Sequence, residues 1–557
     1  MNIRTFRSVS FAALAVSASA AVYADNQGKN KPNILIILAD DLGYSDLGCY
    51  GGEVQTPNLD KLAENGIRFT HFYNAGRSCP TRASLLTGLY PHQAGIGRMT
   101  FDDHLPGYRG TMTHNGVTIA EVLKEAGYQT GMIGKWHVAE TPLRPDQRQW
   151  LAHQVRHEEF APKENYPVNR GFQDFYGTIY GVVNYFDPFS LVNGDQPMDT
   201  VPADYYSTIA LTDSAVAYIN RYTKSDKPFF MYLSYHSPHW PLHALPEDIR
   251  KYEDTYKAGW DKIREARYER MKQLKIFGDS DNFLSPRQFQ DSWEEDPTQE
   301  WDAHAMAVHA AMVDRMDREI GRVMETLRES GELNNTLILF LSDNGASNED
   351  CQNYSEGEND RPAEMRNGEK IIYPRKKEVL PGTQNTYASI GARWANVANT
   401  PFRFWKAKTY EGGICTPLIA YWPEGIKQPK GSIVTEKGHV IDLMATCVEL
   451  TGANYPTEYH GYQILPYAGK SLVPLFEKKY TRDDRDLCFE HFNEKALIDA
   501  EGWKIVKPAG SKQWELYDLN ADRTELHDLS AKYPERVKEM ERHYMIWEEQ
   551  HMVVPRP

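Results

Sequence analysis

Residues 33 to 38, Asn-Ile-Leu-Ile-Ile-Leu, form an unbroken apolar run, and two acids, Asp40 and Asp41, follow almost at once. A strand with one wet face alternates apolar and polar residues. A continuous run instead suits a strand buried on both faces, as in parallel sheets covered by helices. Comparable runs recur at 130–133, 229–235, 336–341 and 417–422. The stretches between them are too long for hairpin turns, and helical patterns occupy 58–64, 118–126 and 303–327. The expected fold class is therefore α/β, a large mixed or parallel sheet sandwiched by helices. In such sheets ligands gather beyond the carboxyl ends of the strands, so the residues just after each run are expected to carry the chemistry.

Two regions interrupt the alternation. Residues 245–300 are charged with interspersed aromatics and read as helical insertions, and 346–400 are polar and rich in Gly, Asn and Arg, as in a long surface excursion. From about 471 the pattern changes to Trp514-Glu515-Leu516-Tyr517-Asp518-Leu519 and a charged helix, a smaller α+β domain covering 471–557 behind a catalytic domain of 25–470. Residues 1–24 read as a cleavable signal peptide: Arg4 and Arg7, an apolar stretch from Phe11 to Val16, and small residues at Val22-Tyr23-Ala24. This predicts a periplasmic or secreted protein. No Cys follows the cleavage point and no later stretch is long and apolar enough to span a bilayer, so no membrane anchor is expected.

The net charge of −15 becomes −17 without Arg4 and Arg7, which excludes general attraction to nucleic acid and leaves any anionic substrate to a local basic pocket. Six scattered cysteines (Cys49, Cys79, Cys351, Cys415, Cys447 and Cys488) offer no metal spacing; most are expected to be buried, with room for one or two disulfides.

Adjacent carboxylates at a strand end repel unless a cation lies between them. Asp40-Asp41 after the first run, and Asp343-Asn344 after the run at 336–341, together offer three carboxylates and an amide oxygen, suited to a hard ion such as Ca2+ or Mg2+. The other chemistry-bearing segments are Ser78-Cys-Pro-Thr-Arg82-Ala-Ser-Leu-Leu-Thr-Gly88; Gly127 to His137, which ends Gly-Lys135-Trp-His137; His236-Ser-Pro-His239-Trp-Pro-Leu-His243; and Lys406-Ala-Lys408-Thr-Tyr-Glu411-Gly-Gly413. Pro80 is expected to open a helix whose N-terminus faces an anion.

The segment 78–88 resembles the signature of the sulfatases, in which the first residue is oxidised to formylglycine and its hydrated aldehyde is the nucleophile. The register places Pro80 third and Arg82 fifth only when counting starts at Ser78, so Ser78 is the expected nucleophile and Cys79 a bystander. The resemblance implies one Ca2+ held by Asp40, Asp41, Asp343, Asn344 and the position-78 oxygen, with Mg2+ the weaker candidate. It implies sulfate binding by Lys135 and Lys406, Arg82 assisting ionisation of the nucleophile, His239 protonating the leaving alcohol, and His137 deprotonating the hydrate to release sulfate. Lys408 is expected to be exposed. Serine at position 78 resembles the form matured by an anaerobic radical enzyme, which would be a partner of the chain; a replaced cysteine would read the same. The expected substrate is a sulfated glycan or small sulfate ester, with exo action on sulfated galactose as the specific guess. Three rivals remain: a phosphoesterase of the same superfamily using Ser78 as an alkoxide, a binder of sulfated glycans if Ser78 is never oxidised, and zinc binding by His236, His239 and His243.

Overall fold

The computed structural model describes residues 31–140, 159–278, 284–353, 362–375, 377–479 and 483–554; the expected signal peptide lies outside them. Every apolar run named above forms a strand. The main sheet contains β1 (Asn33–Ala39), β2 (Ile67–Tyr73), β3 (Gln129–Lys135), β4 (Asp174–Thr178), β5 (Leu191–Asn193), β6 (Gln196–Pro197), β7 (Phe229–Ser234), β8 (Thr336–Ser342), β9 (Cys415–Tyr421), β10 (Ser432–Val434) and β11 (Gly438–His439). Its order is β10-β2-β9-β8-β1-β7-β3-β4-β5-β6, with β11 beside β2.

β1 lies at the centre, parallel to β7 and β8, with β3 parallel to β7 beyond. Alternate side chains of β1 enter two separate cores. Leu35, Ile37 and Ala39 join the helices Pro57–Asn65 (α1), Ser207–Tyr222 and Gln299–Glu329, whereas Ile34, Ile36 and Leu38 join Ser78–Thr87 (α2), Ile119–Glu125 (α3) and Asp442–Thr451. All six of these β1 side chains are inaccessible to solvent, which accounts for a run with no polar alternation.

β9 departs from the parallel pattern, being antiparallel to both β2 and β8. A run buried on both faces does not reveal its direction, so apolarity alone left this open. The consequence is functional: the carboxyl ends of β1, β2, β3, β7 and β8 and the amino end of β9 all reach the same edge of the sheet.

The insertion at 245–300 is helical in part, with Pro246–Ile249 and Trp260–Gln273, and is pinned by an edge-to-face cluster of Trp260, Trp293 and Trp394. The segment 346–400 is a surface excursion only in part: its described middle, 362–386, is largely exposed or half-buried, but its two ends are buried. Ala346, Cys351, Gln352, Tyr387, Ala388 and Ser389 are buried, and Gly391–Ala398 is a helix. At these ends polar side chains find internal partners; Ser389, for example, donates to the Glu349 carbonyl. All six cysteines are free and buried, so no disulfide forms.

At the C-terminus an antiparallel sheet runs β14 (Leu487–His491), β15 (Glu494–Ile498), β16 (Trp503–Lys507) and β17 (Glu515–Asp518), after a small hairpin of β12 (Glu458–Tyr459) and β13 (Tyr462–Gln463). One face packs Leu497, Ile505 and Leu516 against Met540, Tyr544 and Trp547 of the helix Pro534–Gln550. The other face joins the main core and carries a buried ion cluster. Lys504 Nζ lies 3.0 Å from Glu411 and 2.7 Å from Glu525, while Arg523 donates to Glu411 over 2.8 Å. Glu411 sits just ahead of β9, so the C-terminal sheet clamps the segment that carries Lys406. Removing one partner from a fully buried set strands the others without compensation. Lys504→Met is therefore expected to cost about 3–5 kcal/mol, read as a lowered denaturation midpoint; a cost under about 1 kcal/mol would refute the clamp.

Candidate active site

Position 78 begins α2, with Arg77 in extended conformation before it and the first helical bond running from the Thr81 N–H to the Arg77 carbonyl (2.9 Å). The helix thus starts two residues earlier than expected from Pro80. Pro80 falls within its first turn, where a missing N–H costs nothing. The β2–α2 loop is fixed by Thr81, whose hydroxyl accepts from the Ala75 N–H at 2.9 Å. Ser78 is buried at the helix N-terminus, the end that favours negative charge.

Arg82, one turn along α2 and fully buried, organises the site. Its Nε donates to Ser78 Oγ (2.9 Å), Nη1 to the Lys135 carbonyl (3.0 Å) and to Ser234 Oγ, and Nη2 to Asp343 Oδ2 (3.0 Å), with Asp40 Oδ1 3.7 Å away. Burial opposes its charge, but Tyr232, Asp343 and Asp40 outweigh burial and raise its pKa, so it stays a cation.

Asp40 and Asp41 leave β1 together, Asp41 with a positive φ of 62°. Lys135 Nζ pairs with Asp40 Oδ2, and Lys406 Nζ with Asp41 Oδ2 at 3.0 Å. Burial would raise the Asp40 pKa, but Lys135, His239 and Arg82 hold it low. The Asn344 amide donates to Asp41 Oδ1 (2.6 Å), and the Asp41 N–H donates to Asp343 Oδ1 (3.1 Å). Two acceptors in this group, Asp40 Oδ1 and Asn344 Oδ1, are buried without a hydrogen-bond donor. Orphaned buried oxygens beside three carboxylates fit a hard cation, which takes oxygen donors.

His239 Nδ1 donates to the Trp240 carbonyl, which turns Nε2 toward Asp41 Oδ2 and Lys406 Nζ, both at 3.4 Å. His236 and His243 do not join it. His236 is held by Thr178 (2.8 Å) and Ser207 (3.1 Å), and His243 by the Thr386 carbonyl (2.9 Å) and the Tyr185 N–H (3.3 Å). With both ring nitrogens of each engaged in the frame, the three-histidine zinc set is excluded. Lys408 is half-buried and pairs with Glu494, so the expectation that it is exposed is corrected.

His137 follows β3 with a φ of 56°; Nδ1 lies 3.5 Å from Ser78 Oγ and Nε2 3.2 Å from Cys79 Sγ. Burial, then Lys135, Arg82, His239 and Lys406, lower its pKa well below the usual value, so the ring is neutral. Cys79 thus lies against the ring nitrogen opposite the one that faces Ser78.

One participant had no distinguishing signal in the sequence. Glu349, in the loop after Asp343-Asn344, accepts from Lys406 (3.2 Å), Trp240 Nε1 (2.8 Å), Ser347 (3.0 Å) and Arg77 (3.2 Å). It ties the rim of the site to the second lysine, and only tertiary packing distinguishes it from the neighbouring Asp350.

Six strand ends thus converge on the buried Ser78 hydroxyl, flanked by a fixed arginine, two lysines, two histidines and three carboxylates, an arrangement suited to a tetrahedral anion. Comparison with known proteins agrees. Residues 32–453 match the sulfatase family model, and 402–551 match the model for the C-terminal part of N-sulphoglucosamine sulphohydrolase. The chain is 33% identical to an arylsulfatase of Klebsiella aerogenes over 84% of this chain and 97% of that protein. It is 32% identical to an uncharacterized sulfatase of Schizosaccharomyces pombe over 95% of each. Among solved structures it resembles Ps i-CgsB, crystallised with k-i-k-neocarrahexaose, at 25% identity and a TM-score of 0.63, covering 93% of this chain and 92% of that one. The chain belongs to the sulfatase family and is a sulfuric ester hydrolase.

Gly181 lies against the His137 ring; a Cβ there would come within 2.2 Å of Cε1. Gly181→Ala is expected to displace the ring and lower kcat by about 10–100-fold, with an unchanged thermal melt. Unaltered turnover would show that the ring position is not critical.

Proposed function

We propose that the protein is an exported sulfatase that uses formylglycine at position 78 and a single Ca2+, acting from chain ends on sulfated carbohydrates such as sulfated galactose. The observation that carries this reading is the convergence of Arg82 and His137 on the Ser78 oxygen, with Arg82 itself held by Asp343, in a motif whose register selects Ser78. The composition of residues 1–24 supports export. The carbohydrate substrate is supported by the likeness to Ps i-CgsB with its bound oligosaccharide.

Asp40, Asp41, Asp343, Asn344 and the position-78 oxygen would hold the Ca2+, which when bound supplies positive charge for the sulfate oxygens and acidifies the nucleophile. Mg2+, which demands near-ideal octahedral geometry and sheds water reluctantly, suits this protein-rich donor set less well. Arg82 holds the attacking hydroxyl of the hydrated aldehyde. Lys135 and Lys406 neutralise sulfate oxygens as that hydroxyl attacks sulfur and the ester S–O bond breaks. His239, with Nδ1 committed to Trp240, delivers a proton from Nε2 to the departing alcohol. His137 Nδ1 then takes the proton of the second hydroxyl, the C=O bond re-forms, and the C–O bond to sulfate breaks. Water restores the hydrate.

A two-metal phosphoesterase would need a second ligand set. Among the described residues, the only group of three or more His, Cys, Asp or Glu side chains close enough to hold an ion is Asp40, Asp41 and His239.

The mass of the peptide carrying position 78, from protein made beside an anaerobic radical maturase, is expected to show loss of two hydrogens or the matching hydrate. An unmodified serine from the native host would overturn the reading. Ca2+ is expected to raise the unfolding free energy by about 2.7 kcal/mol at a hundred times its Kd, and Asp343→Asn to remove most of that gain. Stabilisation by Ca2+ that survives Asp343→Asn would place the ion elsewhere.

A further inference from the structure

The contact between Cys79 and His137 has a consequence for the proton that His137 must accept. Cys79 is wholly buried on α2, and its Sγ has two polar neighbours, His137 Nε2 at 3.2 Å and Met99 Sδ at 4.0 Å. A thiol is a weak donor and a weak acceptor. Met99 Sδ can only accept, so it gives the Cys79 S–H a place to point that leaves a sulfur lone pair free to face His137 Nε2. Ser78 Oγ already accepts from Arg82 Nε, which leaves its own proton free to point at His137 Nδ1. Both ends of the imidazole thus favour the same arrangement.

We infer that Cys79 is a positioning residue that fixes the His137 tautomer, keeping the ring proton on Nε2 and the Nδ1 lone pair facing the oxygen at position 78. The inference rests on the formylglycine reading for its kinetic consequence. In that scheme His137 acts after the alcohol has left, so a ring protonated at Nδ1 stalls the enzyme in its sulfated form. The first half of the reaction, which uses Arg82, Lys135, Lys406 and His239, proceeds regardless. The sulfur is the sole side chain within hydrogen-bond reach of Nε2 among the described residues, so no other described side chain orients His137 from that side by a hydrogen bond.

The test compares wild type with Cys79→Ala and Cys79→Ser, each matured beside the radical maturase and normalised to its formylglycine content by peptide mass. Cys79→Ala is expected to keep a rapid first release of alcohol, to slow steady-state turnover by about 10–100-fold, and to accumulate a position-78 peptide heavier by one sulfo group after acid quenching. Cys79→Ser, whose hydroxyl can accept from Nε2–H, is expected to stay within about threefold of wild type without that build-up. An alanine variant that turns over normally would overturn the inference. So would one whose burst and steady state fall together with no sulfated peptide. A second measurement is independent of maturation: 15N spectra of the imidazoles in the unmodified serine form, with His137→Gln to assign the signal. They are expected to place the wild-type proton on Nε2 and to show Nδ1–H gaining population in Cys79→Ala. A wild-type proton on Nδ1 would overturn the inference whatever the kinetics. Were the native host to leave serine unmodified, the formylglycine reading would fail by itself, and the 15N result would still judge the Cys79–His137 contact.

Discussion

The Arg82 guanidinium is the interaction on which the rest of the site depends. It reaches five groups drawn from four strand ends and its own helix: Ser78, the Lys135 carbonyl, Ser234, Asp343 and, at longer range, Asp40. A buried cation is tolerated only where its donors are met, and here each acceptor also needs that charge. Asp343 shows the balance. Burial and the neighbouring Asp40 raise its pKa, while Arg82 and Lys135 pull it down. The guanidinium fork is rigid and planar, so it fixes the position of Ser78 relative to the carboxylates as well as neutralising the latter.

Around this centre the fold solves a problem of direction. Parallel strands deliver residues after their carboxyl ends, which accounts for Asp40, Asp41, Lys135, His137, His239, Asp343 and Asn344. Lys406 comes before a strand and could reach the same edge only if that strand ran the other way, as β9 does. The buried cluster of Glu411, Lys504, Arg523 and Glu525 then holds the approach to β9 against the C-terminal sheet. The smaller sheet thereby contributes to the active site through a lysine that it does not itself contain.

The two histidine segments show how unevenly a site can be read from sequence. His239 stood in a distinctive Pro-His-Trp-Pro context and arrives beside Asp41 and Lys406. His236 and His243 share its spacing and chemistry yet serve the frame, because neighbouring hydroxyls and carbonyls consume their nitrogens. Glu349 illustrates the opposite case. Nothing local marks it, and its role on the rim comes from Arg77, Trp240 and Lys406, which lie 57 to 272 positions away in the chain.

By itself the sequence determined the α/β class, because unbroken apolar runs are stable only as strands covered on both faces. It also singled out Ser78, because a motif read in register leaves one residue in the first place, and it marked Asp40, Asp41, Asp343 and Asn344, which the structure brings together beside Arg82 and Lys406. Tertiary structure alone decided the direction of β9, the burial of the two ends of the polar segment after Asn344, the separation of His239 from its two neighbours, and the placing of Cys79 against His137. These outcomes share a physical cause. Strand direction, internal satisfaction of polar groups and the partner of a ring nitrogen depend on contacts between distant segments, and local composition carries no record of them.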